Sequence, residues 1–229
     1  MARLASVLLV VWLLLGLAAD AHAQRARVAG PPRFDITLGA GLVTGVALGE
    51  ASANLRSNAT TPQSYPLFST STRLLPAPVV DVRVAGAVTS RVAIEGQVHF
   101  GQPELETAIS ADKELAPDVT VSERVTETLL AGGVRVTLAN LGRQPRTLPY
   151  VSGGVGVLRQ AHEEGGGTEQ SSLVYLGGGV RHALSVRPGG LPRVGIRGDV
   201  QLLMVKGGLS VDDKITPQLS VTGGVFFTF

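Results

Sequence analysis

Few residues of this sequence combine the types and spacing that catalytic or metal chemistry requires. The histidines, His22, His99, His162 and His182, do not have the paired spacing of a metal site. The glycine-rich stretch 39–45, GAGLVTG, superficially matches a dinucleotide-binding loop. However, it lies inside an alternating pattern, and a Pro/Ser/Thr-rich segment follows where a helix should begin. We therefore predict no bound metal and no cofactor.

A Ser/His/acid arrangement is the sharpest enzymatic alternative. His99 lies on a predicted strand close in sequence to Glu95 and not far from Asp81, so a neighbouring serine would complete a nucleophile, a base and an acid. The same polar residues are explained equally well as the filling of a barrel interior. We predict that the protein is not an enzyme.

The composition excludes several classes of protein. The chain of 229 residues has no cysteine, so disulfides and thiolate metal sites are ruled out, and its net charge of +2 is too small to indicate nucleic-acid binding. Hydrophobic residues make up 44% of the chain, aromatic residues only 4%, and 29 glycines are scattered through apolar segments. Such a chain is poor in helix formers, and strands are the expected elements.

The first 23 residues have the pattern of a signal peptide. Arg3 precedes an apolar run at 4–17, and the small residues of Ala21-His22-Ala23 fit a signal-peptidase site. We expect cleavage after Ala23, a short lead at 24–32 and one domain at 33–229. No later apolar run is long enough for a transmembrane helix, so any membrane span must be made of strands.

Period-2 alternation of apolar and polar residues recurs in eight segments of the predicted domain. They lie at about 34–42, 79–88, 92–100, 124–138, 150–159, 173–184, 194–202 and 219–229. Long polar segments at 45–77 and 102–123 are interpreted as external loops, whereas residues 89–91 form a tight turn. The sequence predicts an all-β fold, an eight-stranded antiparallel up-and-down transmembrane β-barrel.

Charged residues and apolar residues fall on opposite faces of these strands. The apolar face is nearly free of charge, while the other face combines Gly, Ser and Thr with charges of both signs. This distribution of polar and apolar residues is the inverse of that in a soluble protein, and it indicates lipid outside and a polar interior. We predict an interior charge network made of Asp81, Arg83, Glu95, His99, Arg135, Arg181, Arg197 and Asp199.

The hairpin at 79–100 has a predictable register. Val88 and Val92 must both face lipid, so a three-residue turn at 89–91 places Asp81 opposite His99. Arg83 then lies diagonal to Glu95, within reach of its long side chain.

The last five residues, VFFTF at 225–229, resemble the C-terminal β-signal of the small OmpA/OmpX-like outer-membrane β-barrels. Stretches such as PYVSGGVG at 149–156 and GGGVR at 177–181 are similar to mid-barrel strands of that family. The resemblance implies assembly into a bacterial outer membrane through Val225, Phe227 and Phe229. The aromatic girdle would be sparse, supplied by Phe34, Phe100, Tyr150, Phe227 and Phe229.

The function expected from this family is a structural, adhesive or surface-interaction role for a barrel with a plugged polar interior. The alternatives are a narrow pore, and a lipid-modifying enzyme of the lipid A deacylase kind with its site at the rim. The expected partners are the bilayer and the outer-membrane assembly machinery, with no nucleic acid and no identified extracellular partner.

Overall fold

The computed structural model describes residues 34–56, 64–110, 117–138, 146–163, 167–186, 192–209 and 215–229. The signal peptide expected at 1–23 and the lead expected at 24–32 lie outside these residues. Among the residues described, no helix is long and apolar enough to cross a membrane, a finding that concerns helices alone.

Within the described ranges every regular element is a strand, and eleven strands are present there. In chain order they are β1 (Phe34–Val43), β2 (Val46–Arg56), β3 (Ser64–Leu74), β4 (Ala77–Ala87), β5 (Val92–Gly101), β6 (Glu104–Ser110), β7 (Val119–Thr137), β8 (Thr147–His162), β9 (Thr168–Val186), β10 (Pro192–Gly207) and β11 (Ile215–Thr228).

Eight of these strands close into a barrel, and every ladder between them is antiparallel. The order around the barrel is β1, β4, β5, β7, β8, β9, β10 and β11, and β11 pairs with β1 again. Each barrel strand therefore pairs with the barrel strands before and after it in the chain. The predicted eight-stranded up-and-down barrel is confirmed.

The hairpin of β4 and β5 has the register predicted from parity. Asp81 is opposite His99, and the amides of Val88 and Thr89 donate hydrogen bonds to the carbonyl of Val92 at 2.9 and 3.0 Å. This turn lies at the same end of the barrel as Phe34 and Phe229, which we call the turn end.

Three further strands extend the opposite end, which we call the loop end. β2 pairs with β3, β3 with β6, and β6 with the first residues of β7, giving a four-stranded extension sheet that continues the barrel wall. The interpretation of 45–77 and 102–123 as loops was therefore wrong for most of their described residues. Their Ser- and Thr-rich sequence lacks the apolar alternation of a strand in lipid, and it is stabilised by cross-strand pairing.

The outer surface of the barrel is apolar along all eight strands. Large exposed side chains include Leu38, Leu42, Val80, Val82, Ile94, Leu130, Val155, Leu176, Ile196, Val200 and Val221. Phe34, Phe100, Phe227 and Phe229 are also exposed, as expected of a girdle. Tyr150 is the exception. Its side chain is buried inside the barrel because it has the parity of Ser152, so its assignment to the girdle was wrong.

The lipid-facing surface gives a first prediction. Val82→Arg or Val155→Arg should destabilise the barrel by roughly 2–4 kcal/mol, because each places a charge in lipid near the middle of a strand. Val121→Arg on the extension sheet is the matched control and should change stability by less than about 0.5 kcal/mol. Urea unfolding in liposomes measures all three. Equal costs at Val82, Val155 and Val121 would contradict the assigned lipid face.

Candidate functional site

The barrel interior contains a charge cluster that balances in sign. Four arginines and four carboxylates are buried there together with one histidine: Arg83, Arg135, Arg181, Arg197, Asp35, Asp81, Glu95, Asp199 and His99. We call this set the interior charge cluster. Buried charges are tolerated only where they are paired and hydrogen-bonded, so the contacts of each arginine decide whether the arrangement is stable.

Arg83 joins two carboxylates near the centre of the cluster. Its Nε donates to Asp81 Oδ2 at 2.7 Å, its Nη1 donates to Asp199 Oδ1 at 3.0 Å, and its Nη2 donates to Thr222 Oγ1 at 3.0 Å. The Nε2 of His99 lies 2.9 Å from Asp81 Oδ1. Every nitrogen of the Arg83 guanidinium thus has an acceptor.

Arg197 makes the most complete set of contacts. Its two terminal nitrogens donate to the two oxygens of Glu95 at 2.7 and 2.8 Å, a bidentate pair. Its Nε donates to Asp199 Oδ2 at 2.8 Å and to the hydroxyl of Tyr150 at 2.7 Å. The same Tyr150 hydroxyl donates a short hydrogen bond to Asp199 Oδ1. A tyrosine hydroxyl therefore links the arginine to its second carboxylate.

Arg135 and Arg181 lie nearest the turn end and share one carboxylate. Arg135 Nη1 donates to Glu95 Oε2 and Nη2 to Asp35 Oδ2, both at 2.8 Å. Arg181 Nη1 lies 2.9 Å from the same Asp35 oxygen, and Asp35 Oδ1 accepts from Thr228 Oγ1 at 2.6 Å. The Arg181 guanidinium also lies over the ring of Phe226, 4.0 Å from its centroid.

All eight charged residues named from the sequence lie in this interior, and seven of them are joined through Glu95, Asp199 and Asp81. Arg181 connects through Asp35, which the predicted network did not include. Arg83 Nη1 lies 3.6 Å from Glu95 Oε1, the diagonal contact expected from the register. The sequence analysis did not include Tyr150 in the network. Tyr150 lies two residues before Ser152 on β8, so the alternation of the strand already placed both on the same face.

The interior is not polar along its whole length, in contrast to the expectation. Towards the loop end it is filled by an apolar plug made of Leu129, Ala131, Leu158, Leu173, Tyr175, Leu203 and Val205. Where the plug meets His99, Glu127 and Gln218 there is a cavity of about 20 Å³, room for about one water molecule. The sequence analysis missed the plug because it assumed that the inward-facing positions of the strands are polar.

The C-terminal strand is the second candidate site. Val225, Phe227 and Phe229 are exposed on the outer face, and the first two lie opposite Leu38 and Ile36 of β1. The amide of Phe229 donates to the carbonyl of Phe34 at 2.9 Å, the outermost hydrogen bond of that ladder at the turn end. The predicted assembly residues thus stand on the strand that closes the barrel.

The fold has close counterparts among solved structures. Neisserial surface protein A aligns with a TM-score of 0.50 and 11% identity over 86% of this chain and 97% of that chain. The outer membrane protein OprG from Pseudomonas aeruginosa aligns with a TM-score of 0.53 and 10% identity over 86% of this chain and 95% of that chain. This chain has the fold of the small bacterial outer-membrane β-barrels. At such low identity the likeness concerns the fold alone; no family model and no curated protein matches the sequence.

The closed sheet, the apolar exterior and the charged interior together assign the chain to the bacterial outer membrane, with lipid around the barrel. The expected fold family and location are confirmed on these grounds.

The interior charge cluster gives a second prediction. Glu95→Gln should lower the free energy of unfolding by about 3–5 kcal/mol, because it leaves Arg135 and Arg197 without their shared buried counter-charge. Glu106→Gln is the control, since Glu106 pairs with the exposed Arg73 on the extension sheet and should cost at most about 1 kcal/mol. Urea unfolding in liposomes measures both. If the two costs were similar, the interior pairs would not hold the barrel together.

Proposed function

We propose that this protein is a non-conducting outer-membrane barrel that presents a preformed β-sheet at the cell surface, with a structural, adhesive or other surface-interaction role. The observation that carries the proposal is the extension sheet of β2, β3, β6 and the start of β7. Small membrane barrels place their short turns in the periplasm and their longer connections outside. On that rule the extension sheet lies outside the cell.

The extension sheet has the features of a binding surface more than of a mere connection. Backbone ladders connect its strands, and Arg73 Nε donates to Glu106 Oε2 at 2.7 Å across β3 and β6. Many of its exposed side chains are small or hydroxylated, among them Ala51, Ser52, Ser71, Thr120 and Ser122. A surface already ordered before contact loses little conformational entropy on binding.

The filled interior supports the non-conducting half of the proposal. Eight strands enclose a lumen that side chains can just fill. Here the interior charge cluster extends towards the turn end, and the apolar plug lies nearer the loop end, beside the hydrogen-bonded pair of Gln160 and Glu127. An ion crossing the barrel would have to pass a water-poor layer of leucines, where a charge is costly to bury.

Conductance and surface attachment test the proposal separately. Purified protein in planar bilayers should give no sustained conductance above background, with a general porin as the positive control. Bacteria that express a variant with residues 49–72 replaced by an Asn-Gly turn should lose attachment to collagen-coated and plain surfaces, because the β2–β3 hairpin is removed. A Ser90→Gly variant, altered at the turn end, should attach like the wild type.

Three results would contradict the proposal. Stable ion conductance would favour the narrow pore. A change in lipid A mass in cells that express the protein would favour the rim-site enzyme. Equal attachment of the hairpin-deleted variant and the wild type, at equal amounts of heat-modifiable folded barrel, would remove the role assigned to the extension sheet.

The C-terminal strand supports a second part of the proposal, assembly through the outer-membrane machinery. Deleting Phe229 should lower the yield of folded barrel in the outer membrane and leave export to the periplasm intact, since it removes an exposed aromatic ring and the last hydrogen bond to Phe34. Phe100→Ala is the control, because Phe100 is equally lipid-facing on an internal strand. Fractionation with heat-modifiable gel mobility gives the yield. Equal yields for the two variants would show that the terminal pattern is incidental.

A further inference from the structure

The turn end of the barrel contains a cavity that the proposed function does not use. Its volume is about 320 Å³, and we call it the vestibule. Its walls include the short turn at Thr89, Ser90 and Arg91, and its floor includes Asp35, Arg135 and Arg181 from three different strands. The orientation proposed above places its mouth in the periplasm.

The charged residues that line the vestibule do not balance. Among the residues described, Arg91, Arg135 and Arg181 line it with one carboxylate, Asp35, a net charge of +2. Glu95 also pairs with Arg135, but it is shared with Arg197 and does not line the vestibule. Positive charge is therefore in excess around the vestibule, although the interior charge cluster as a whole balances in sign.

The two floor arginines are also short of acceptors. A single oxygen, Asp35 Oδ2, accepts from both Arg135 Nη2 and Arg181 Nη1. Among the residues described, Arg135 Nε and the Nε and Nη2 of Arg181 have no hydrogen-bond partner, although both side chains are at least nine-tenths buried. Buried donors without acceptors are costly, and a ligand with several acceptor oxygens would relieve that cost.

We propose that the vestibule binds a small oxyanion, a phosphate or a carboxylate, between Arg135 and Arg181. Guanidinium groups recognise both anions through planar, paired N–H donors. Two arginines, one from β7 and one from β9, line the same space, and their donors converge on one oxygen of Asp35. Asp35 is then the internal competitor, a carboxylate of the chain that occupies part of the site when the anion is absent.

This competition predicts the direction in which each charge variant shifts phosphate affinity, and the Arg159→Gln control distinguishes it from a nonspecific charge effect. Arg181→Gln should weaken the binding of inorganic phosphate about tenfold, because it removes a charged donor that has only one acceptor in the protein. Asp35→Asn should tighten binding, because it removes the competing charge and keeps a side chain of the same size. The two variants thus shift affinity in opposite directions.

Isothermal titration calorimetry on the folded barrel in detergent at low ionic strength measures these affinities. Inorganic phosphate and acetate are the free-ion probes, and muramyl dipeptide tests a carboxylate carried by cell-wall peptide. Arg159→Gln is the matched control, since it removes an equal charge from an exposed position near the loop end and should bind as the wild type does. Heat-modifiable mobility on gels verifies that every variant is folded.

The expected result is saturable phosphate or acetate binding that follows the order Asp35→Asn, wild type, Arg181→Gln from tightest to weakest. Tighter binding of muramyl dipeptide than of acetate would identify the cell wall as the source of the anion. The proposal is overturned if folded wild-type protein binds none of the three probes, or if Arg181→Gln and Arg159→Gln weaken binding equally.

Discussion

Hydrogen bonds between the first strand and the last close the sheet, and almost every other feature of the molecule depends on that closure. Lipid offers no partner for a backbone amide or carbonyl, so a sheet in a bilayer must have no free edge. The β1–β11 ladder, from Asp35 opposite Thr228 to Val43 opposite Ser220, removes that edge. Once the sheet is closed, alternate side chains point to lipid or to the lumen with no third choice. Every charge within the spanning strands must therefore be neutralised by another inside a narrow barrel.

The narrow lumen explains why the glycines and the aromatic rings of the interior are placed together. A β-carbon added at Gly154 would lie 2.7 Å from the Tyr175 ring, and one at Gly179 would lie 2.7 Å from the Tyr150 ring. Glycine on the inner face thus leaves the space in which a ring from a neighbouring strand lies flat against the wall. This packing places the Tyr150 hydroxyl between Arg197 and Asp199. The position of the Tyr150 hydroxyl in the charge cluster therefore depends on the glycines of the barrel wall.

The alternation of residues along each strand was enough to predict the barrel strands and the faces of their charged residues. It was not enough to predict the extension sheet or the apolar plug. Period-2 alternation located the eight barrel strands and placed Arg83 and Glu95 on one face, because a strand in lipid cannot change face without exposing a charge. The extension sheet escaped detection because Ser69, Thr70, Ser71 and Thr72 are polar on both faces, as water on both sides permits. The apolar plug was not predicted because Leu129 and Leu203 occupy inward-facing positions, where polar residues were expected. An inward-facing position requires only that the side chain is kept away from lipid; the side chain can be polar or apolar.

The apolar plug lies nearer the loop end and most of the interior charge cluster nearer the turn end, so the barrel is asymmetric along its axis. Towards the loop end, Leu129, Leu158 and Leu203 pack beside His99, at the edge of the interior charge cluster. Inside the barrel, Glu95 and Arg197 are shielded from bulk water and keep their bidentate geometry, which exchange with water would loosen. Towards the turn end no comparable apolar layer is present among the residues described, and Arg135 and Arg181 reach the vestibule. In the orientation proposed above, the vestibule opens to the periplasm, whereas the surface offered to the exterior is the extension sheet, in which Arg73 and Glu106 form an ion pair.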